Sequence, residues 1–213
     1  MKKNILGRCF FSPLCNALFI LSLLLLNCIW STAIGQENGK TPFKETTGIF
    51  NISSIGVNDY LPDNFWDQQV KLYVKGDTSS VPLEKFRGKA IIIDFWSNDC
   101  ASCITKFPKL FAFQQKFEPY FNVLLVNKAG SEHIHRLRND FLRNHDLSTV
   151  FKDEYLNALF PHKGVPHYVW ITPIGRVAAI TSAEFADEMR VKAFVDSCVK
   201  YEMPHLRTRG VNK

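Results

Sequence analysis

Seven consecutive residues, Ala90 to Trp96 (AIIIDFW), carry one polar side chain, and a Cys-x-x-Cys pair, Cys100 and Cys103, follows four positions later. So short a run of β-branched and aromatic residues is the pattern of a strand buried on both faces. Such a strand needs a sheet with helices packed on it. The next segment supplies one: Cys103, Phe107, Leu110, Phe111 and Phe117 fall at i, i+4, i+7, i+8 and i+14, one stripe of a helix. Phe121 to Val126 reads as a second buried strand, parallel to the first through a right-handed βαβ connection.

The rest of the pattern agrees with a single mixed α/β domain. Gln69 to Val74 alternates apolar and polar as a strand does, and Leu83 and Phe86 lead into an Arg87-Gly88-Lys89 turn. Ser131 to Asn144 is expected to be a helix and Asp153 to Phe160 a short one. Tyr168 to Thr172, a Pro173-Ile174-Gly175 turn and Arg176 to Thr181 make a hairpin. A last helix from Ala186 to Val199 buries Val191, Phe194, Val195 and Cys198. The expectation is a central mixed sheet flanked by helices, with an N-terminal strand extension.

The first 35 residues differ from the others. Lys2, Lys3 and Arg8 precede an apolar run from Ala17 to Leu26, and Ala33-Ile34-Gly35 ends in small residues. A positive head, short apolar centre and small-x-small exit make a secretory signal. The run is shorter than the ~20 apolar residues of a membrane span. Cleavage after Gly35 is the preferred reading; an uncleaved anchor, or a lipoprotein box at Leu25-Leu26-Asn27-Cys28, is the alternative. Membrane attachment is thus expected only if the leader stays. Residues 36–60 read as a linker or extension, 61–200 as the domain and 201–213 as a basic tail.

Of the formal charge of +6, the leader carries half. The small surplus left makes no case for nucleic acid. Cys9, Cys15 and Cys28 belong to the leader, which leaves Cys100, Cys103 and Cys198 in the exported chain. Export permits disulfides, and one active pair with one core thiol, Cys198, fits better than a disulfide scaffold.

A C-x-x-C at a strand-to-helix junction has a chemical reason. A free thiol with pKa near 8.5 is only about 3% ionised at neutral pH. Partial positive charge and unpaired N–H groups at a helix start stabilise the thiolate of the first cysteine. A shift of about two pKa units corresponds to roughly 2.7 kcal/mol. Cys100 is therefore the candidate nucleophile and Cys103 the resolving thiol. Asp94, inside an apolar strand, is expected to have a raised pKa and to exchange a proton with Cys103. Asp99 beside Cys100 opposes thiolate formation unless it caps the helix.

The segment DFWSNDCASCITKFP resembles the thioredoxin family, and its setting resembles exported TlpA/ResA-type thiol–disulfide oxidoreductases. Asp94, Phe95-Trp96, Cys100/Cys103 and Pro108 match that pattern in position, and the likeness runs from Leu61-Pro62-Asp63, through Leu83 and Gly88-Lys89, to about Val199. The resemblance implies a thioredoxin fold and dithiol–disulfide exchange with exported proteins, tilted towards reduction, in the bacterial periplasm. It implies no cofactor beyond the Cys100/Cys103 pair, and a separate redox partner that resets it. It also implies that Trp96 shields the dithiol, that Pro166 is a cis-proline facing it, and that Val165 binds the partner peptide by its backbone. Asp99, Ala101-Ser102 and His167 depart from the family and leave the redox direction open; His167 reads as pocket-lining.

Rival readings remain. Cu(I) delivery would use Cys100, Cys103 and His167, and a non-catalytic interaction module would keep the fold without the exchange. A peroxidase is a weaker rival. Zinc would need four ligands, and a second cysteine pair is missing. His133 and His135, two apart, read as surface residues and His162 as a loop residue.

Overall fold

The computed structural model describes residues 52–128 and 139–203, within a compact unit that spans Phe50–Lys213. The expected signal, residues 36–51 of the linker, His133, His135 and the tail from 204 onwards lie outside the described residues.

In chain order the strands are β1 (Gln69–Val74), β2 (Asp77–Pro82), β3 (Ala90–Trp96), β4 (Phe121–Asn127), β5 (Thr149–Phe151), β6 (His167–Ile171) and β7 (Val177–Thr181). They form one sheet in the order β2-β1-β5-β4-β3-β6-β7. β3, β4 and β5 run parallel, and the remaining pairs are antiparallel. The helices are α1 (Ala101–Ile104), α2 (Phe107–Phe117), α3 (Asp140–Asn144), α4 (Tyr155–Leu159) and α5 (Glu188–Tyr201).

β3 is central, and every residue in it is buried. Its alternating side chains define the two layers. Ile92 and Trp96 join a cluster with Cys103, Phe107, Leu110, Leu142, Val191 and Val195, supplied by α1, α2, α3 and α5. Ile91, Ile93 and Phe95 join the opposite cluster, with Phe65, Leu83, Phe86, Leu156 and Leu159. β3 thus reads as a continuous apolar run because both faces are covered. Gly175 has a φ of 84° in the β6–β7 turn and donates its N–H to Thr172 at 2.8 Å. That left-handed conformation favours glycine, which has no Cβ to clash with its own backbone.

Several expectations need correction. The stripe from Cys103 to Phe117 is not one helix. Pro108 lacks the N–H that would bond the carbonyl of Ile104, so α1 ends and α2 starts afresh with that proline in its first turn. Phe113 is buried in α2, whereas Phe111 and Phe117 are partly exposed. The described end of the helix expected over 131–144 starts only at Asp140. Asn139 is extended, and its side chain caps α3 by accepting from the N–H groups of Phe141 and Leu142. Within the segment read as a linker or N-terminal extension, residues 52–60 lie against the domain. Ile52 and Ile55 pack on the second cluster, and the Ile55 N–H donates to Leu159 O at 3.1 Å. Asn58 and Leu61 donate to the carbonyls of Val177 and Gly175, each at 2.8 Å. The last helix begins at Glu188, where Asp187 caps it by accepting from Arg190 N–H at 2.9 Å.

Candidate active site

At the C-terminal end of β3 the chain turns through Ser97 to Asp99 into α1. Cys100 and Cys103 are joined there as a disulfide with Cα atoms 5.3 Å apart. Cys100 is partly exposed, and Cys103 is fully buried. An incoming thiol therefore reaches Cys100 first. Cys100 is itself the N-cap of α1, its Sγ accepting from Cys103 N–H at 3.1 Å. The Ser102 hydroxyl lies 3.4 Å from the same sulfur. On reduction, these two donors face the sulfur that would carry negative charge. Asp99 is exposed and does not cap the helix, so of its two readings the one in which it opposes the Cys100 thiolate stands. Ser102 was not singled out as a donor in the sequence, because a side chain's aim at a sulfur leaves no mark in spacing.

Asp94 is completely buried on the face of β3 that holds Ile92 and Trp96, the layer containing Cys103. Burial pushes its pKa well above the usual carboxylate range, and the neighbouring Tyr168 hydroxyl lowers it by less. Neither carboxylate oxygen has a hydrogen-bond partner within bonding geometry. Because the folded-state pKa is raised, the folded protein holds a proton that the unfolded chain releases above about pH 4. Stability from this group is full below that pH and falls as pH rises towards the folded pKa. Asp94→Asn is therefore expected to leave stability unchanged near about pH 4 and to raise it progressively towards about pH 8. Denaturant melts of both proteins across pH check this, and parallel pH profiles would refute the buried charge.

The Val165–Pro166 peptide is cis. The carbonyl oxygen of Val165 lies 3.8 Å from Cys100 Sγ, so backbone from the start of β6 borders the reactive sulfur. Trp96, which the resemblance has shielding the dithiol and, with Val165 and Pro166, framing the partner, lies in the core layer that also holds Cys103. It is fully buried, its indole N–H donates to Thr149 Oγ1 at 2.9 Å, and its ring meets Phe107 edge-on at 5.1 Å. It supports the dithiol turn from within the core. His167 pairs with Phe95 across β3 and β6, which puts it on the face opposite Asp94 and Tyr168. It is half-buried and stacks on His162 at 5.0 Å, and both rings lie against Phe95. Burial, and then the charge of His162, lower its pKa. His167 thus stacks with His162 on the side of β3 away from the layer that holds Cys103. Among the described residues no group of three or more His, Cys, Asp or Glu side chains could hold a metal ion.

A polar chain behind the dithiol turn escaped the sequence reading. Asn127 Nδ2 donates to Asn98 Oδ1 at 3.2 Å, and Asn157 Nδ2 reaches Asn127 O at 3.4 Å. Asp153, pushed up to about 6 by burial, accepts from the N–H groups of Leu156 and Asn157 at 2.8 and 3.2 Å. The available signal was Asn127 following directly on the buried apolar run Val123 to Val126. Cys198 is buried and free, its thiol pushed up to about 12 by desolvation, as an inert core residue should be.

No protein-family model matches the sequence, and no curated protein matches it. Solved structures do match. DsbF of MTB, in mixed oxidized and reduced forms, is 16% identical over 65% of this chain and 98% of its own, with a TM-score of 0.51. A Chlorobium tepidum protein described as thiol:disulfide interchange protein DsbE is 21% identical over 67% of this chain and 99% of its own, with a TM-score of 0.51. The reduced 2-Cys peroxiredoxin of Plasmodium vivax is 17% identical over 70% and 99%, with a TM-score of 0.52. The chain has a thioredoxin fold, with a disulfide at the end of its central strand. Because this fold also houses a peroxiredoxin, the activity has to be argued from the site.

Proposed function

We propose that this protein is a thiol–disulfide oxidoreductase that reduces disulfides of exported proteins. The observation that carries this reading is the partly exposed Cys100, disulfide-bonded to buried Cys103, with Val165 O 3.8 Å from its sulfur beside a cis-proline. Such a carbonyl is placed to accept an N–H from an extended partner peptide while that peptide's disulfide meets Cys100.

In the reduced protein, the Cys100 thiolate attacks one sulfur of the partner's disulfide. A mixed disulfide forms, and the partner's other sulfur leaves as a thiolate. Cys103 gives its proton to the Asp94 carboxylate and attacks Cys100 Sγ. The Cys100–Cys103 bond closes, and the partner is released with both sulfurs reduced. Two electrons pass from the dithiol to the partner, and the Asp94 proton is handed on to solvent or to the departing thiolate. The disulfide itself is the redox group, so no further cofactor enters. A separate exported or membrane-bound donor returns the two electrons.

The leader pattern, with its Lys2, Lys3 and Arg8 head and Ala17 to Leu26 centre, supports export. Among the described residues no helix is long and apolar enough to cross a membrane.

Cys103→Ser tests the proposal. The variant is expected to accumulate a mixed disulfide through Cys100 with a partner protein, visible as a thiol-reversible mass increase, because nothing remains to resolve it. Absence of any adduct with disulfide-containing substrates would favour the interaction-module reading. Titration against glutathione and dithiothreitol then sets the direction. A potential near about −270 mV fits a reductant, and one near about −120 mV an oxidant.

A further inference from the structure

The residue directly opposite Asp94 on the neighbouring strand β6 is Tyr168. Cross-strand partners share a face, with Cβ atoms about 4.5–5.5 Å apart. Both residues are buried, Asp94 at 0% and Tyr168 at 1% exposure. On the other side of β3, Asp94 pairs with Leu125 of β4, which offers no polar side chain. Over the same face α1 supplies Cys103 and α2 supplies Phe107. Trp96, two residues along, has committed its N–H to Thr149. Of these neighbours, only the Tyr168 hydroxyl and, after reduction, the Cys103 thiol can donate to the carboxylate. A buried carboxylate without a donor stays protonated and cannot accept a proton.

We propose that Tyr168 is a positioning residue for the exchange reaction: its hydroxyl donates to Asp94 once the disulfide is reduced and holds the carboxylate ionised to receive the Cys103 proton. This rests on the proposed oxidoreductase reading. In the disulfide form both Asp94 oxygens lack a partner within bonding geometry, as a protonated carboxyl can tolerate. After reduction the same group has to ionise inside the core, and the hydroxyl one strand away supplies the donor. The influences acting on the pair agree. Tyr168 lowers the Asp94 pKa, while burial, Asp94 and Glu184 raise that of Tyr168. Glu184, from the 3-10 turn Ala183–Phe185, is exposed and lies in the field of Lys106. The tyrosine therefore stays protonated and remains a donor throughout the working pH range.

The test is infrared difference spectroscopy of the reduced protein across pH, following the protonated carboxyl band that Asp94→Asn removes. Tyr168→Phe keeps the ring and deletes only the donor. It is expected to move the titration of that band up by about one pH unit, the scale of one lost hydrogen bond to a charged acceptor. It should also shift the pH profile of mixed-disulfide resolution by the same amount. A band that titrates at the same pH in Tyr168→Phe and the parent overturns the inference. If Tyr168→Phe does not fold, the parent protein still decides. The tyrosine ultraviolet signal should be perturbed as the Asp94 band titrates and should lose that perturbation in Asp94→Asn, and a signal unchanged through the titration refutes the contact. The band reports ionisation without turnover, so a failed oxidoreductase assay with a shifted band would fault the functional reading and not the Tyr168–Asp94 coupling.

Discussion

Replacing Cys100 by Ser is expected to abolish disulfide reduction completely, to the rate measured without protein. A hydroxyl cannot form the mixed disulfide on which the exchange depends. Cys103 does not take over, because its side chain, carried on α1, is fully buried while Cys100 is partly exposed. Cys198 offers no substitute either, since its thiol is buried and its pKa is pushed up to about 12. Reduction of a protein disulfide, driven by dithiothreitol and followed by free-thiol release, is the measurement. Cys198→Ala should retain the parent rate in the same assay. Turnover surviving in Cys100→Ser would remove the dithiol from the chemistry.

Phe107→Ala is expected to produce the largest loss of stability, about 3–5 kcal/mol, the range for emptying a buried aromatic site. The ring is fully buried and meets Trp96 edge-on at 5.1 Å. It fills the space between β3 and α2 one turn beyond Cys103. Set against a typical total stability of about 5–15 kcal/mol, a loss of that size would leave a marginal fold. Phe185→Ala is the control: that ring is 52% exposed, and surface substitutions usually stay within about 0.5 kcal/mol. Denaturant unfolding of both variants, with the slope checked for constancy, gives the comparison. A small effect at Phe107 would mean that the Trp96 layer closes over the cavity.

The two changes separate what the dithiol does from what holds it. Cys100→Ser removes the reacting atom and leaves every fully buried side chain in place, whereas Phe107→Ala loosens the floor under α1 and leaves both sulfurs in place. Trp96 belongs with the floor. Its indole bond to Thr149 ties β3 to β5, and so the central strand is anchored directly beneath the point where the chain turns into the active disulfide.

Local pattern in the sequence was enough for the elements whose burial is decided along one segment. β3 and β4 could be read because each is covered on both faces, which demands an apolar side chain at almost every position. The cysteine pair could be placed at the end of β3 for the same reason, and a carboxylate in the middle of such a run marked Asp94. Elements with weak demands were silent. β2 is a polar, exposed edge strand, DTSSVP, and β5 has only three residues; neither contains a period to detect. The break between α1 and α2 was available in Pro108, but the apolar stripe across it masked the missing hydrogen bond.

What the tertiary structure alone decided is which side chains face one another. Strand register places Tyr168 opposite Asp94 and His167 with Phe95 on the other face, and a shift of one residue would exchange them. Helix capping by Cys100 in place of Asp99, and the approach of Val165 O to Cys100 Sγ from 65 residues away, likewise depend on packing. The sequence by itself determined a sheet-centred fold and a dithiol at the end of its central strand, since hydrophobic pattern and residue chemistry are written locally. Proton partners, the supporting floor and the residues a substrate can touch come from contacts distant in the chain, which only the folded sheet brings together.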